Sequence, residues 1–357
     1  MKKIVHIDIN CFFAQAEVLK DISLTNKPIA VGYDGNRGVL STCSYEARKY
    51  GIHSGMPTKE AKRILPQLIV IQGDYNYYSE LSSRLFEYLK KDLPILEVAS
   101  IDECYIDMSS ALQDKNEEEE MDYLRDLQMN IYKYISLKCS IGLGDSKFLA
   151  KMASDYKKPL GITIIHKKDI SKYLYPLDIS DMYGIGIKTA PRLKKIGINT
   201  IGDLAKKDEA ELKSIFGNTY QHYIDCLNGT SSDIVTSIKS KPKSISAERT
   251  FYFDVSDIEE IMDMEKLCLD ECYKELKKVK AKTKTVMIKY RDLDFKTFSK
   301  RFTNKEYFRN KNEIFQTIEQ MFDDNYDGRS LRLVGVGLEN LKYDEIAPKK
   351  DEDIKLF

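Results

Sequence analysis

Lys3-Ile-Val5-His6-Ile7-Asp8-Ile9-Asn10 is the stretch from which the fold is read. Val5, Ile7 and Ile9 alternate with His6 and Asp8, the period-two pattern of a strand with one apolar face. Asp8 lies near the end of that strand, opposite the apolar side. Residues 95–108 read as two further short strands, and between them Asp102 and Glu103 are adjacent. Neighbouring side chains on an extended strand point to opposite faces, so a turn or bulge at Ser100–Glu103 would let both carboxylates converge.

Working outward, a Gly-rich turn is expected at Gly32–Gly38 and a helix-like stretch from Tyr45 to Tyr50. Tyr78, Leu81, Leu85 and Leu89 give residues 75–91 helical spacing, closed by Pro94. The acidic residues 114–126 read as a solvated loop, Glu117–Glu120 included, leading into a solvated helix that runs to about Lys138. Gly142 to Lys158 reads as a turn and a short helix, and Gly161–Ile165 as a strand. After His166 the chain becomes small, helical and basic. Ser231–Lys243 is the linker candidate. Residues 244–340 then give strand, long helix, strand, strand, helix, strand, with helices around Ile258–Lys278 and Lys311–Phe322.

At 357 residues the chain has room for about two to three domains of roughly 150 residues. Hydrophobic residues make up 42% and charged residues 31%, which is globular and not disordered. No run approaches the roughly 18 apolar residues of a membrane span, and His6, Asp8 and Asn10 break any leader-like apolar segment. Seven cysteines argue against a disulfide framework, and four histidines lack zinc-ligand spacing. Cys268 and Cys272 read as buried apolar cysteines. A cytoplasmic protein is the default expectation. Net charge is zero, from 56 Lys+Arg and 56 Asp+Glu, but it is segregated. Residues 188–207 hold six Lys/Arg and one Asp, and residues 271–310 hold 13 Lys/Arg and five Asp/Glu.

Clustered carboxylates repel unless a cation lies between them, and oxygen-only donors suit a hard ion such as Mg²⁺. Two such ions can bind a triphosphate and serve an in-line phosphoryl displacement. Here the residues resemble a family. His6-Ile-Asp8-Ile-Asn10-Cys-Phe12-Phe13-Ala-Gln-Ala-Glu17 is similar to the opening motif of Y-family translesion DNA polymerases, of the DNA polymerase IV type. Ser41-Thr-Cys-Ser-Tyr45-Glu-Ala-Arg48-Lys-Tyr-Gly51 resembles their fingers motif. Ser100-Ile-Asp102-Glu103-Cys-Tyr-Ile-Asp107 resembles their second catalytic motif.

The resemblance implies a multidomain α+β polymerase shaped as a right hand. A ferredoxin-like palm would take residues 1–10 and 75–166, small fingers 11–74 and a helical thumb 167–230. A linker would follow at 231–243, an α+β little finger at 244–341 and a tail at 342–357. It implies two Mg²⁺ held by Asp8, Asp102, Glu103 and the main-chain oxygen of Ile9. It implies a nucleotide site of Phe12, Phe13 as steric gate, Tyr45, Arg48 and Lys158, with Lys157 as the register rival of Lys158. Tyr45 and Arg48 are three apart and share a helix face. Asn10 stands where many members carry Asp, and is expected to support the site without ligating. Asp107 is expected to be structural.

Met182-Tyr-Gly184-Ile-Gly186-Ile-Lys188 resembles the helix–hairpin–helix that aims backbone amides at a DNA phosphate. The lysine-rich strands after 271, with Lys282 and Lys284 on an exposed face, resemble the little finger's DNA-gripping sheet. Asp353-Ile-Lys-Leu356-Phe357 resembles a sliding-clamp motif, with Asp in the Gln position and Leu356 and Phe357 as anchors. The expected function is template-directed, low-fidelity translesion synthesis without proofreading, by a monomer acting on primer–template DNA and dNTP, with no membrane. Gly38, Val39 and Ser41 fall in the stretch expected to roof the nascent pair. The alternatives are a palm-type nucleotide cyclase and a non-catalytic DNA-binding accessory protein.

Overall fold

The structure, a computed structural model, describes residues 2–343 except 94, 232, 233 and 239. The helix-ending Pro94 and the tail motif at Asp353, Leu356 and Phe357 lie outside the described residues. The chain divides into two compact units, Met1–Lys239 and Ser240–Phe357, so the break falls within the linker candidate.

The first unit opens with β1 (Ile4–Ile9), α1 (Phe12–Lys20), β2 (Ile29–Gly32), β3 (Leu40–Cys43), α2 (Tyr45–Arg48), α3 (Thr58–Ile64) and β4 (Ile69–Ile71). It continues with α4 (Tyr75–Asp92), β5 (Leu96–Val98), β6 (Glu103–Asp107), α5 (Glu117–Ile135), β7 (Cys139–Gly144), α6 (Lys147–Tyr156) and β8 (Ile162–Ile165). The main sheet is ordered β5-β6-β1-β7-β8, with β1 antiparallel to β6 and β7, and β7 parallel to β8. The alternation in β1 sorts its residues by layer. Val5, Ile7 and Ile9 join the core that includes Tyr78, Leu81 and Leu85 of α4 and Leu124 and Ile131 of α5. His6 and Asp8 meet α6 on the other side, through Ser154 and Lys151. β1 is therefore buried on both faces.

Two sequence expectations are corrected here. Gly142 does not open a turn: it lies inside the fully buried strand β7. A Cβ at Gly142 would come within 2.2 Å of the Ala150 carbonyl oxygen and the Ser154 nitrogen, so glycine is required by the close approach of α6. Glu117–Glu120 is not a loop: it is the first turn of α5. Asn116 caps that helix in a reciprocal capping box with Glu119, and four carboxylates at a helix N-terminus complement its dipole. Glu120 is buried and paired with Lys3 at 2.6 Å.

A small sheet, β3-β2-β4, with α2 and α3 encloses a separate core of Ala30, Leu40, Cys43, Ala47 and Ala61. The unit ends in short helices, α7 (Ile170–Tyr173), α8 (Ala190–Lys195), α9 (Ile201–Ala205), α10 (Glu209–Phe216) and α11 (Tyr220–Leu227). Their core, with Leu193, Ile198 and Leu204, is continuous with Phe148, Leu149 and Met152 of α6.

The second unit runs β9 (Ser244–Val255), α12 (Ile258–Lys278), β10 (Ala281–Lys282), β11 (Thr285–Asp292), β12 (Thr297–Thr303), α13 (Lys311–Asn325), β13 (Leu331–Glu339) and β14 (Lys342–Tyr343). Its antiparallel sheet is ordered β12-β11-β13-β9, and α12 and α13 share its core. Cys268 and Cys272 are buried in that core, as expected. No helix among the described residues is long and apolar enough to cross a membrane.

Candidate active site

Pairing of β1 with β6 sets Asp8 directly opposite Glu103. The turn before β6 places Asp102 beside them: its carbonyl oxygen accepts from the Ile9 N–H at 3.0 Å. The Ser100 hydroxyl donates to Asp102 Oδ1 at 2.6 Å. The three carboxylates are thereby gathered at one end of the sheet. Burial raises the pKa of Asp102, and the Asp8 charge adds to it. Burial and the Asp8 carboxylate likewise raise Glu103. For Asp8 burial acts upward, but hydrogen bonding with Glu103 and the charges of Lys158 and Lys151 outweigh it and hold Asp8 low. The cluster thus splits into one firmly ionised acid and two that retain protons more readily.

Asp8, Asp102 and Ile9 line a cavity of about 230 Å³ together with Phe12, Phe13, Tyr45, Arg48 and Lys158. All the residues expected at the nucleotide therefore meet in one space. Glu103 does not line this cavity and is bound to Lys151 at 2.5 Å. Lys158, not its neighbour Lys157, reaches Asp8, at 2.5 Å; Lys157 ends α6 and is exposed. The Ser44 hydroxyl caps α2, which projects Tyr45 and Arg48 together. The guanidinium lies 4.8 Å from the centre of the Tyr45 ring, and Arg48 Nε donates to the Cys43 carbonyl at 3.3 Å. Phe12 is core, 2% exposed, whereas Phe13 is half-buried.

Asn10 is buried and engaged on both ends of its amide. Its Nδ2 donates to Ser140 Oγ at 2.8 Å and its Oδ1 accepts from the Leu160 N–H at 2.9 Å. Asp107 accepts from the Ser109 N–H at 2.9 Å and closes β6. Sequence reading missed Lys151 and Asp155. Lys151 is only 8% exposed although it lies in the otherwise small and apolar run Phe148–Ser154. A lysine within such a run was the available signal. Burial would lower its pKa, but Asp8, Asp155 and Glu103 together raise it. The donors Asp8, Asp102 and Glu103 are all hard oxygens. Among the described residues, however, no three acidic, Cys or His side chains form a closed ligand cage; lysine ammoniums lie among them.

Away from the cavity, Gly184, Gly186 and Lys188 are exposed ahead of α8. Gly184 has φ of +94°, the region glycine favours, and the Gly186 carbonyl accepts from the Thr189 and Ala190 N–H groups. In the second unit Lys282 is exposed on β10. Lys284, beyond the strand, is half-buried with its ammonium 6.0 Å from the Tyr307 ring centre.

The chain matches the impB/mucB/samB family over residues 7–155, that family's C-terminal domain over 242–355 and its HHH motif over 167–198. A relative named DNA polymerase IV from Listeria monocytogenes is 37% identical over 345 residues, covering 96% of each chain. Another of that name from Bacillus anthracis is 38% identical, covering 93% of this chain and 81% of its own. Among solved structures, a Y-family DNA polymerase chimera of Dbh and Dpo4 superposes with a TM-score of 0.85. Its identity is 27%, and the match covers 96% of this chain and all of the other. The insertion ternary complex of Dbh DNA polymerase gives 0.64 at 26% identity over the same shares. The multidomain α+β class expected from the sequence is the class of these structures. On the family match and the extent of these likenesses, the chain belongs to the impB/mucB/samB family, the Y-family DNA polymerases.

Proposed function

We propose that this chain is a DNA-directed DNA polymerase of translesion synthesis that extends a primer 3′-hydroxyl from dNTP with low fidelity and no proofreading. The observation that carries the reading is one cavity lined by both carboxylates and an aromatic–cationic set. Phosphoryl transfer asks mainly for positioning and charge stabilisation, and that pairing supplies both.

In this reading Asp8 and Asp102 would serve both metal ions, with the Ile9 carbonyl completing the one on the nucleotide side and Glu103 the one beside the primer hydroxyl. The all-oxygen donor chemistry fits Mg²⁺, with two ions per site. When bound, Mg²⁺ neutralises phosphate charge and acidifies the attacking hydroxyl. Tyr45, Arg48 and Lys158 donate to the triphosphate, and Arg48 can do so through two parallel bonds. Phe13 lies under the sugar and rejects a 2′-hydroxyl.

The palm corresponds to residues 1–10 and 75–166, the fingers to 11–74, the thumb to 167–230 and the little finger to 244–341. Primer–template DNA is held by backbone contacts from the Gly184–Lys188 hairpin and the basic 271–310 region. Leu356 and Phe357 would tether a sliding clamp. The enzyme acts as a monomer in the cytoplasm. Primer extension by Asp102→Ala and Glu103→Ala tests the reading: extension should be lost, and wild-type rates in either variant would refute the metal assignment.

A further inference from the structure

Lys151 and Asp155 lie outside the set expected from sequence, yet they organise it. Lys151 Nζ reaches Asp8 at 3.2 Å, Glu103 at 2.5 Å and Asp155 at 3.5 Å. Lys158 Nζ reaches Asp8 at 2.5 Å and Asp155 at 2.7 Å. Asp8, Lys151, Asp155 and Lys158 therefore form a closed ring of alternating charge, with Glu103 attached through Lys151. Helical spacing builds it: Lys151 and Asp155 are four apart on α6, so they share a face.

The two ammoniums share Asp8, and like charges so placed repel. Asp155 offers each a second carboxylate. Without Asp155, both would lean more heavily on Asp8 and Glu103. Without Lys151, Asp8 and Glu103 would face each other across the β1–β6 pair with less compensation. Two such acids attract another cation more strongly.

We propose that Lys151 and Asp155 are positioning residues that set how tightly the acidic cluster takes a divalent cation. Lys151 competes with the metal for Asp8 and Glu103, and Asp155 tempers that competition by drawing both lysines outward. The inference rests on the polymerase reading of the cluster.

The test is titration of the full chain with Mn²⁺ alone, without DNA or nucleotide, following free Mn²⁺ by electron paramagnetic resonance. Lys151→Met keeps the buried aliphatic volume and removes the charge, so Mn²⁺ affinity should rise several-fold. Asp155→Asn should lower it several-fold, and Lys151→Arg should stay near wild type. Asp155 has a side chain 41% exposed, so its variant remains informative even where a thermal melt shows Lys151→Met misfolded. Unchanged affinity in Asp155→Asn, or a shift in the same direction for both variants, overturns the proposal. Unshifted Mn²⁺ affinities together with lost extension in Glu103→Ala would reject the ring and leave the polymerase reading standing. Retained extension in Glu103→Ala would reject the reading itself.

Discussion

Phe13 lies flat against Tyr78, with ring centres 4.4 Å apart and planes 14° from parallel. Tyr78 is fully buried and its hydroxyl donates to Glu17 at 2.6 Å. Tyr75 meets Phe13 edge-on at 5.6 Å. The ring proposed to exclude ribonucleotides is therefore held on a rigid aromatic support, and stacked pairs of this kind contribute about 0.5–1.5 kcal/mol beyond burial.

That support makes two variants distinguishable. Phe13→Val should admit ribonucleotides, read as the ratio of kcat/KM for dNTP and rNTP. Tyr78→Leu should relax the same ratio partially, although Tyr78 does not line the cavity. Tyr78→Phe keeps the ring and should keep sugar selection. It leaves the buried Glu17 without its donor, so it should lose about 1–3 kcal/mol in denaturant unfolding.

Asn10 should prove a structural residue. Asn10→Ala strips the Leu160 N–H and Ser140 of their partners and should cost about 1–3 kcal/mol. Asn10→Asp keeps an acceptor for the Leu160 N–H, and the Ser140 hydroxyl can rotate to donate. Its loss in chemical denaturation should be smaller than that of the alanine variant.

His166 gives the first unit a pH-dependent tie. Its Nδ1 lies 2.9 Å from Asp145 and its Nε2 3.4 Å from Glu120; Lys3 pairs with Glu120 from β1's side, and Lys167 donates its N–H to Asp145. The bond to Asp145 raises the histidine pKa above its ordinary 6.5. A raised folded-state pKa stabilises fully below 6.5, and that contribution is lost as pH rises through the higher value. His166→Gln should therefore melt below wild type at pH 6, and the gap should shrink as pH rises through the raised histidine pKa. His6 acts in the opposite sense. Burial, with Lys151 adding to it, lowers its pKa to about 3, so stability falls as pH drops below 6.5. That loss should persist in His166→Gln.

Glu265 should be a liability of the second unit. It is fully buried on α12, and neither carboxylate oxygen has a hydrogen-bond partner. Burial raises its pKa well above the ordinary 4.5. The folded state then holds a proton that the unfolded chain releases above 4.5, so stability declines as pH rises. Glu265→Met should stabilise the unit by about 1–3 kcal/mol at pH 8. The gain should be smaller at pH 5 in the same thermal melts.

Much of this molecule was determined by local pattern. Alternation in β1 assigned Val5, Ile7 and Ile9 to one layer and Asp8 to the other, because a strand's two-residue period leaves no choice once one face is buried. The spacing of Tyr78, Leu81, Leu85 and Leu89 gave α4, and the order of strands and helices after Ser244 held through Glu339 apart from the two-residue β10, which the pattern did not show. The three-residue spacing of Tyr45 and Arg48 put them on one face.

The tertiary structure decided what depends on a distant partner. Gly142 carries the same local signature as a turn glycine; only the approach of α6 makes it a strand residue. Glu117–Glu120 looks solvated until Lys3, more than a hundred residues away in sequence, pairs with Glu120. That Lys158 and not Lys157 reaches Asp8 depends on where α6 ends relative to β1. Lys151 carried only the signal of a lysine within an apolar run, since its charge tells nothing of its partners until carboxylates from other elements close around it. Sequence fixes which faces are apolar; long-range packing fixes which charges meet.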